Sequence, residues 1–205
     1  SQDCKLIIIA CNTATSICLR YIQQKYIPAH APDVKVLGVV IPTVEVALSD
    51  NRCRIGVIAT QATTNSHIYQ TELKKINPNI SVTEIATPRL VPMIEHNCFD
   101  DMEETLRSYL AQFPKLDSLI LGCTHYPLIK EYCRRLLPQT KIISQDELMG
   151  AKLADYLHRH PEIETKLSRN GQRNFCVTRK NIDSERVAQQ LYPQINVAEI
   201  SILQK

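Results

Sequence analysis

The chain is 205 residues long, 44% hydrophobic and 22% charged, with a formal net charge of +3; this is an ordinary globular balance, sufficient for one large domain or two small ones. Lysine and arginine are spread along the chain, tryptophan is absent and aromatic residues make up 5%, which leaves no electrostatic or stacking case for a nucleic-acid or membrane partner. No apolar run approaches the ~20 residues of a membrane span, no signal peptide is visible, and the eight cysteines contain no C-x-x-C pair, so zinc, thioredoxin-type and disulfide-framework readings give way to free thiols in a reducing cytoplasm.

KLIIIA (5–10) is a continuous apolar run, the pattern of a strand covered on both faces. TATSICLRYIQQKY (13–26) follows, with Ile17, Tyr21, Ile22 and Tyr26 at helical spacing. VKVLGVV (34–40) reads as the next strand, stopped by Pro42, and TVEVALS (43–49) as a short helix. RIGVIA (54–59) is a strand and TTNSHIYQTELKKI (63–76) one helix with threonine or asparagine caps. Asn77-Pro78-Asn79 turns the chain into the strand ISVTEIA (80–86). CFDDMEETLRSYLAQF (98–113) is an amphipathic helix with acids in its first turn, DSLILGC (117–123) a strand, and PLIKEYCRRLL (127–137) a proline-initiated helix. KIIS (141–144) is a strand and DELMGAKLADYLHRH (146–160) a long helix; residues 161–174 read as a polar loop, FCVT (175–178) as a strand, 183–191 as a helix and VAEISI (197–202) as a last strand. Strands separated by helical stretches demand parallel pairing. The expected fold is therefore α/β, with mostly parallel sheets flanked by helices, and local reading leaves one sheet or two open.

Only five glycines occur, about a third of the usual ~7% share. The chain also opens at SQDCK without methionine and enters a strand at once. Both observations lead to the expectation that an N-terminal piece is missing.

One long-range repeat carries chemistry. LIIIACNTAT (6–15) is echoed by LILGCTHYPL (119–128): each is an apolar strand, a small residue, a cysteine, a threonine one or two positions on, and then a helix. In parallel α/β sheets, ligands bind beyond the carboxyl ends of strands. Helix N-termini there favour negative charge, a thiolate or a bound carboxylate alike. Asn12, Thr13 and Thr124 add neutral hydrogen-bonding groups, and His125 is placed to tune Cys123 or shuttle its proton. Two like acid/base groups on matching elements suit inversion at a carbon bearing an acidic hydrogen, with one group removing a proton from one face and the other returning one to the opposite face. A lone cysteine at a strand end is more often a small buried hydrophobe, and Cys4, Cys18, Cys53, Cys98, Cys133 and Cys176 are read so; the paired context sets Cys11 and Cys123 apart.

At these residues the sequence resembles the glutamate racemases of the cofactor-independent aspartate/glutamate racemase superfamily. ACNTAT (10–15) matches their first cysteine motif and LGCTHYPLI (121–129) their second, with further matches at IGVIATQATTNSHIY (55–69) and ATPRLVPMIE (86–95). The resemblance implies two pseudo-symmetric α/β lobes with glutamate between them, residues 1–36 plus 144–205 forming one and 37–143 the other. It implies Cys11 and Cys123 as the proton-transfer residues, His125 as the assistant of the second, Asn12, Thr13, Thr63 and Thr124 as substrate contacts, and Glu95 as an accessory acid. It implies no cofactor, and a role for D-glutamate in bacterial cell-wall synthesis. The family's opening strand, its D-S-G-V-G-G turn and its Y-G segment have no counterpart here. Ala62 replaces a usual glycine, Ser144-Gln145 a common Asp-Ser pair, and Thr87 a cysteine before Pro88.

The remaining signals are bland. The six histidines form no ligand spacing, and His158 and His160 read as solvated. Phosphate-loop and G-x-S-x-G motifs are absent, KLSRNGQRN (166–174) reads as a solvated loop, and Tyr69 and Tyr126 as packing residues. Alternatives to a glutamate racemase are a racemase for aspartate or another amino acid, and a catalytically incompetent fragment that keeps the fold. The oligomeric state stays open, a homodimer included.

Overall fold

The computed structural model describes residues 4–50, 53–178 and 197–199. β1 (Leu6–Ile9) pairs in parallel with β2 (Lys35–Gly38). Between them run α1 (Asn12–Tyr21), a π-helical turn (Ile22–Tyr26) and α2 (Ile27–His30). The π-turn precedes Pro28, which has no N–H to give and whose ring crowds the carbonyl a turn back, so the helix widens rather than breaks.

β2 leads into α3 (Val40–Leu48), β3 (Arg54–Ala59), α4 (Gln61–Asn65), α5 (Ile68–Ile76), β4 (Ser81–Ala86), α6 (Leu90–Glu95) and α7 (Met102–Leu110). Then follow β5 (Ser118–Gly122), a 3₁₀ turn (Tyr126–Ile129), α8 (Lys130–Leu136), β6 (Lys141–Ile143), α9 (Gln145–Arg159) and α10 (Pro161–Glu164). β7 (Phe175–Val177) pairs in parallel with β8 (Val197–Glu199). The main sheet has the order β4-β3-β5-β6, all parallel.

The main sheet is covered on both faces, and strand alternation decides which side chain goes where. Ile55, Val57 and Ala59 of β3, Ile120 of β5 and Ile143 of β6 pack with Val44, Tyr69, Leu73 and Leu148 of α3, α5 and α9. Ile58, Leu119, Leu121 and Ile142 face the other way, onto Leu90, Leu106, Ile129 and Cys133. Because β3 connects outward to β4 and β5 connects the opposite way to β6, their outgoing helices leave to opposite faces, and the carboxyl ends of β3 and β5 form the switch point at which ligands bind in such sheets. Gly38 lets α1 lie close on the small sheet: a Cβ there would meet Thr15 Cγ2 at 2.5 Å and Leu19 Cδ2 at 2.7 Å.

Several expectations need correction. β1 is not covered on both faces: Ile7 and Ile8 are 41% and 45% exposed. The expected apolar stripe of the following helix, Ile17, Tyr21 and Tyr26, is exposed as well. The second strand ends at Gly38, and α3 begins ahead of Pro42, since proline is tolerated in a first helical turn, where N–H groups lack partners anyway. The single helix expected over 63–76 is two, α4 and α5, broken where His67 adopts φ 51°. The polar loop expected from 161 begins with α10. Of the six cysteines read as core, Cys133 is buried, whereas Cys4, Cys18, Cys53, Cys98 and Cys176 are exposed. None of the eight forms a disulfide. The helix expected at 183–191 lies outside the described residues, as does the end of the last strand.

Candidate active site

Both motif cysteines follow a parallel strand directly. Cys11 is the N-cap residue of α1, with extended backbone (φ −70°, ψ 122°), and its carbonyl accepts from the Thr15 N–H at 2.9 Å. Its side chain caps nothing, and the residue is exposed. Cys123 sits past the end of β5, 6% exposed. Burial is the main cause that pushes the Cys123 thiol up; the Cys11 and Glu95 charges add to this, and the His125 backbone N–H and the Thr124 hydroxyl oppose it. Cys123 therefore rests protonated, ready to donate, and needs a partner to take its proton away.

That partner is adjacent. His125 Nδ1 lies 3.7 Å from Cys123 Sγ, and its Nε2 is 3.1 Å from Glu95 Oε1. Glu95 ends α6, so the carboxylate reaches the imidazole from a different element and fixes the ring plane. Cys123, His125 and Glu95 thus form a continuous thiol–imidazole–carboxylate line, the geometry that lets a histidine relay a thiol proton. Thr124 is exposed beside it.

The Cys11 side is held by hydroxyls and amides. Thr13 Oγ1 lies 2.8 Å from Thr60 Oγ1 and 3.0 Å from Thr63 Oγ1, and the last two are 3.1 Å apart. Thr60 caps α4 by accepting the Thr63 N–H at 3.3 Å. This trio joins α1 of the small sheet to the start of α4 of the main sheet. Asn12 is 2% exposed and faces inward. Its Oδ1 accepts from the Tyr69 hydroxyl at 2.6 Å and from Gln145 Nε2 at 2.9 Å, and its Nδ2 donates to Gln145 Oε1 at 2.9 Å.

The structure therefore gathers Cys123, Thr124, His125 and Glu95 on one side and Cys11, Asn12, Thr13 and Thr63 on the other. Sequence reading missed Thr60, Thr43 and Gln145, and favoured packing over a substrate contact for Tyr69. Tyr69 and Tyr126 are both fully buried, yet each hydroxyl is engaged: that of Tyr126 lies 2.5 Å from Thr87 Oγ1. Thr87 and Gln145, two of the departures from the expected pattern, each anchor a residue of a cysteine motif. Among the described residues no group of three or more His, Cys, Asp or Glu side chains is placed to hold a metal ion. His160 sits against Glu162 at 3.1 Å and stacks on Tyr156.

The chain belongs to the Asp/Glu/hydantoin racemase family, whose model matches residues 1–149, and is thereby an amino-acid racemase, an isomerase. Relatives at 30% identity or more include glutamate racemases. That of Phenylobacterium zucineum is 34% identical over 202 residues, covering 85% of this chain and 70% of that protein. That of Trichormus variabilis is 38% identical over 147 residues, covering 69% of this chain and 48% of that protein. The crystal structure of the Francisella tularensis glutamate racemase in complex with D-glutamate superposes with a TM-score of 0.82 at 31% identity, covering 97% of this chain and 73% of that one.

Proposed function

We propose that this chain interconverts L- and D-glutamate by two-base proton transfer at the α-carbon. In this reading Cys11 and Cys123 flank the α-carbon on its opposite faces. One, as thiolate, takes the α-proton; the other, as thiol, delivers its proton to the opposite face. One S–H bond forms as the other breaks, and the roles exchange in the reverse direction. The observation that carries the reading is the pair of thiols beyond the carboxyl ends of the parallel strands β1 and β5, with Thr13 of the first motif bonded to Thr60 and Thr63 beyond β3, the neighbour of β5.

His125, oriented by Glu95, moves the Cys123 proton on and off. Asn12, Thr13, Thr63 and Thr124 supply the neutral donors that hold the glutamate carboxylates, and preorganised donors of this kind lower the cost of the carbanion at the α-carbon. The division into residues 1–36 plus 144–205 and 37–143 belongs to the same reading; β2, spanning Lys35–Gly38, runs across its first boundary. The D-glutamate formed would serve peptidoglycan synthesis in the cytoplasm; among the described residues no helix is long and apolar enough to cross a membrane. The relatives' identity as glutamate racemases and the D-glutamate in the Francisella tularensis complex support the choice of substrate.

The test incubates the chain separately with L-glutamate, D-glutamate and L-aspartate and follows optical activity by circular dichroism. Decay to zero from either glutamate enantiomer, with aspartate unchanged, is expected. Decay with aspartate alone would make this an aspartate racemase. No decay, and no α-proton exchange into D2O, would leave a folded chain without turnover and overturn the reading.

A further inference from the structure

We infer that Gln145 is a positioning residue that fixes the spacing of the two cysteine motifs, an inference that rests on the two-thiol proton transfer proposed above. Gln145 opens α9 and is 6% exposed. Its carboxamide meets that of Asn12 head to tail, Nε2 to Oδ1 and Oε1 to Nδ2, both at 2.9 Å. Nε2 also reaches Thr43 Oγ1 at 3.2 Å and the Tyr69 hydroxyl at 3.3 Å.

The direction of every bond in this cluster is determined. Thr43 donates its hydroxyl hydrogen to the Val39 carbonyl at 2.7 Å, so it accepts from Gln145. Burial pushes the Tyr69 phenol up, so it stays protonated and donates to Asn12 Oδ1. Those two facts dictate which end of each amide is oxygen and which is nitrogen. One Nδ2 hydrogen of Asn12, the residue after Cys11, is left without a partner among the described residues, its direction set by Gln145.

The cluster also reaches the other thiol. The Tyr69 ring lies against Gly122, the residue before Cys123: a Cβ on Gly122 would stand 3.1 Å from Tyr69 Cε2. Asn12, Gln145, Tyr69 and Gly122 thus form a buried bridge from one cysteine motif to the other, drawing on α1, α5, α9 and β5. Buried amides satisfied in only one arrangement hold their elements in one register, and a proton-transfer site loses rate steeply with small displacements.

The test uses Gln145→Met, which keeps the length and removes the polar atoms, and Gln145→Glu, which keeps an acceptor and regains one donor only when protonated. In Gln145→Met, α-proton exchange of glutamate in D2O should fall about 10- to 100-fold. The iodoacetamide rate of Cys11, relative to exposed Cys98 in the same sample, should shift by about threefold or more, while buried Cys133 stays unmodified. In Gln145→Glu, activity relative to the parent should recover as pH falls. Exchange within about twofold of the parent in Gln145→Met overturns the inference, because a lost orienting bond costs more than that. Modification of Cys133 alongside Cys11 also overturns it, by revealing general loosening. If the parent chain itself exchanges no α-proton, the proposed activity fails, and the labelling of Cys11 against Cys98 and Cys133 decides the positioning role alone.

Discussion

Gly38→Ala tests the coupling between packing and chemistry in the small sheet. The added methyl would stand 2.5 Å from Thr15 Cγ2, 2.7 Å from Leu19 Cδ2 and 3.1 Å from Thr15 Oγ1. Leu19 can rotate away. Thr15 cannot, because it is β-branched and its hydroxyl donates to the Ile9 carbonyl at 2.9 Å. Restoring an ordinary carbon–carbon contact of ~3.5 Å requires α1 to move off β2 by about 1 Å. Overpacking of this kind costs about 1–3 kcal/mol, which for a chain of this size lowers the melting midpoint by roughly 2–12 °C. The same shift displaces Cys11, the N-cap of α1, and a displacement of about 1 Å lowers proton-transfer turnover up to about 100-fold. Thermal melting by circular dichroism reads the first effect and α-proton exchange by NMR the second. A melting midpoint and exchange rate both equal to the parent's would refute the argument that α1 is held by its contact with Gly38.

Gly150→Ala is the matched control: it lies in α9 with nothing within 4 Å of the added Cβ, so it should raise the melting midpoint, by up to about 1 kcal/mol in stability, and leave exchange unchanged. Asp117 accepts from the Arg54 guanidinium and from the backbone N–H groups of Cys53 and Arg54 at 3.2 and 3.0 Å, and the Arg54 side chain is the main cause that pulls its carboxyl down to about 2. A depressed carboxyl stabilises fully above the unfolded value of ~3.9 and loses its effect as pH falls through the folded one. The melting difference between the parent and Asp117→Asn should accordingly be constant near neutrality and vanish towards pH ~2; a difference that persists in acid would contradict this. Alkylation of Cys123, whose thiol is pushed up by burial, should keep rising with pH above the usual thiol range, as peptide mapping by mass spectrometry would show.

β3 was legible because IGVIA (55–59) is an unbroken apolar run behind a charged Arg54, and such runs have one use in a sheet covered on both sides. The same logic failed for β1, whose pattern is alike but whose Ile7 and Ile8 are exposed; hydrophobicity records what a strand can bury, not what lies against it. The break at His67, where φ is 51°, carries no composition signal; it is accompanied by contacts of His67 Nδ1 and the Gln70 N–H with Glu84 at 3.0 and 3.4 Å, from a strand that sequence periodicity does not connect to it. Pro42 misled because proline marks both strand ends and helix starts. In the site, Cys11 and Cys123 were legible because their motif is written twice. Thr60 and Gln145 were not, because their partners lie 47 and 133 residues away in sequence, and side-chain hydrogen bonds at such separations leave no periodicity to read.

Two thiols serving opposite faces of one carbon leave a direct kinetic signature. The direct measurement is D2O exchange at the α-carbon, started from L- and from D-glutamate, for the parent, Cys11→Ala and Cys123→Ala. Racemisation by the parent from both enantiomers, and its abolition in each variant, is expected. Full turnover retained by either variant would contradict it.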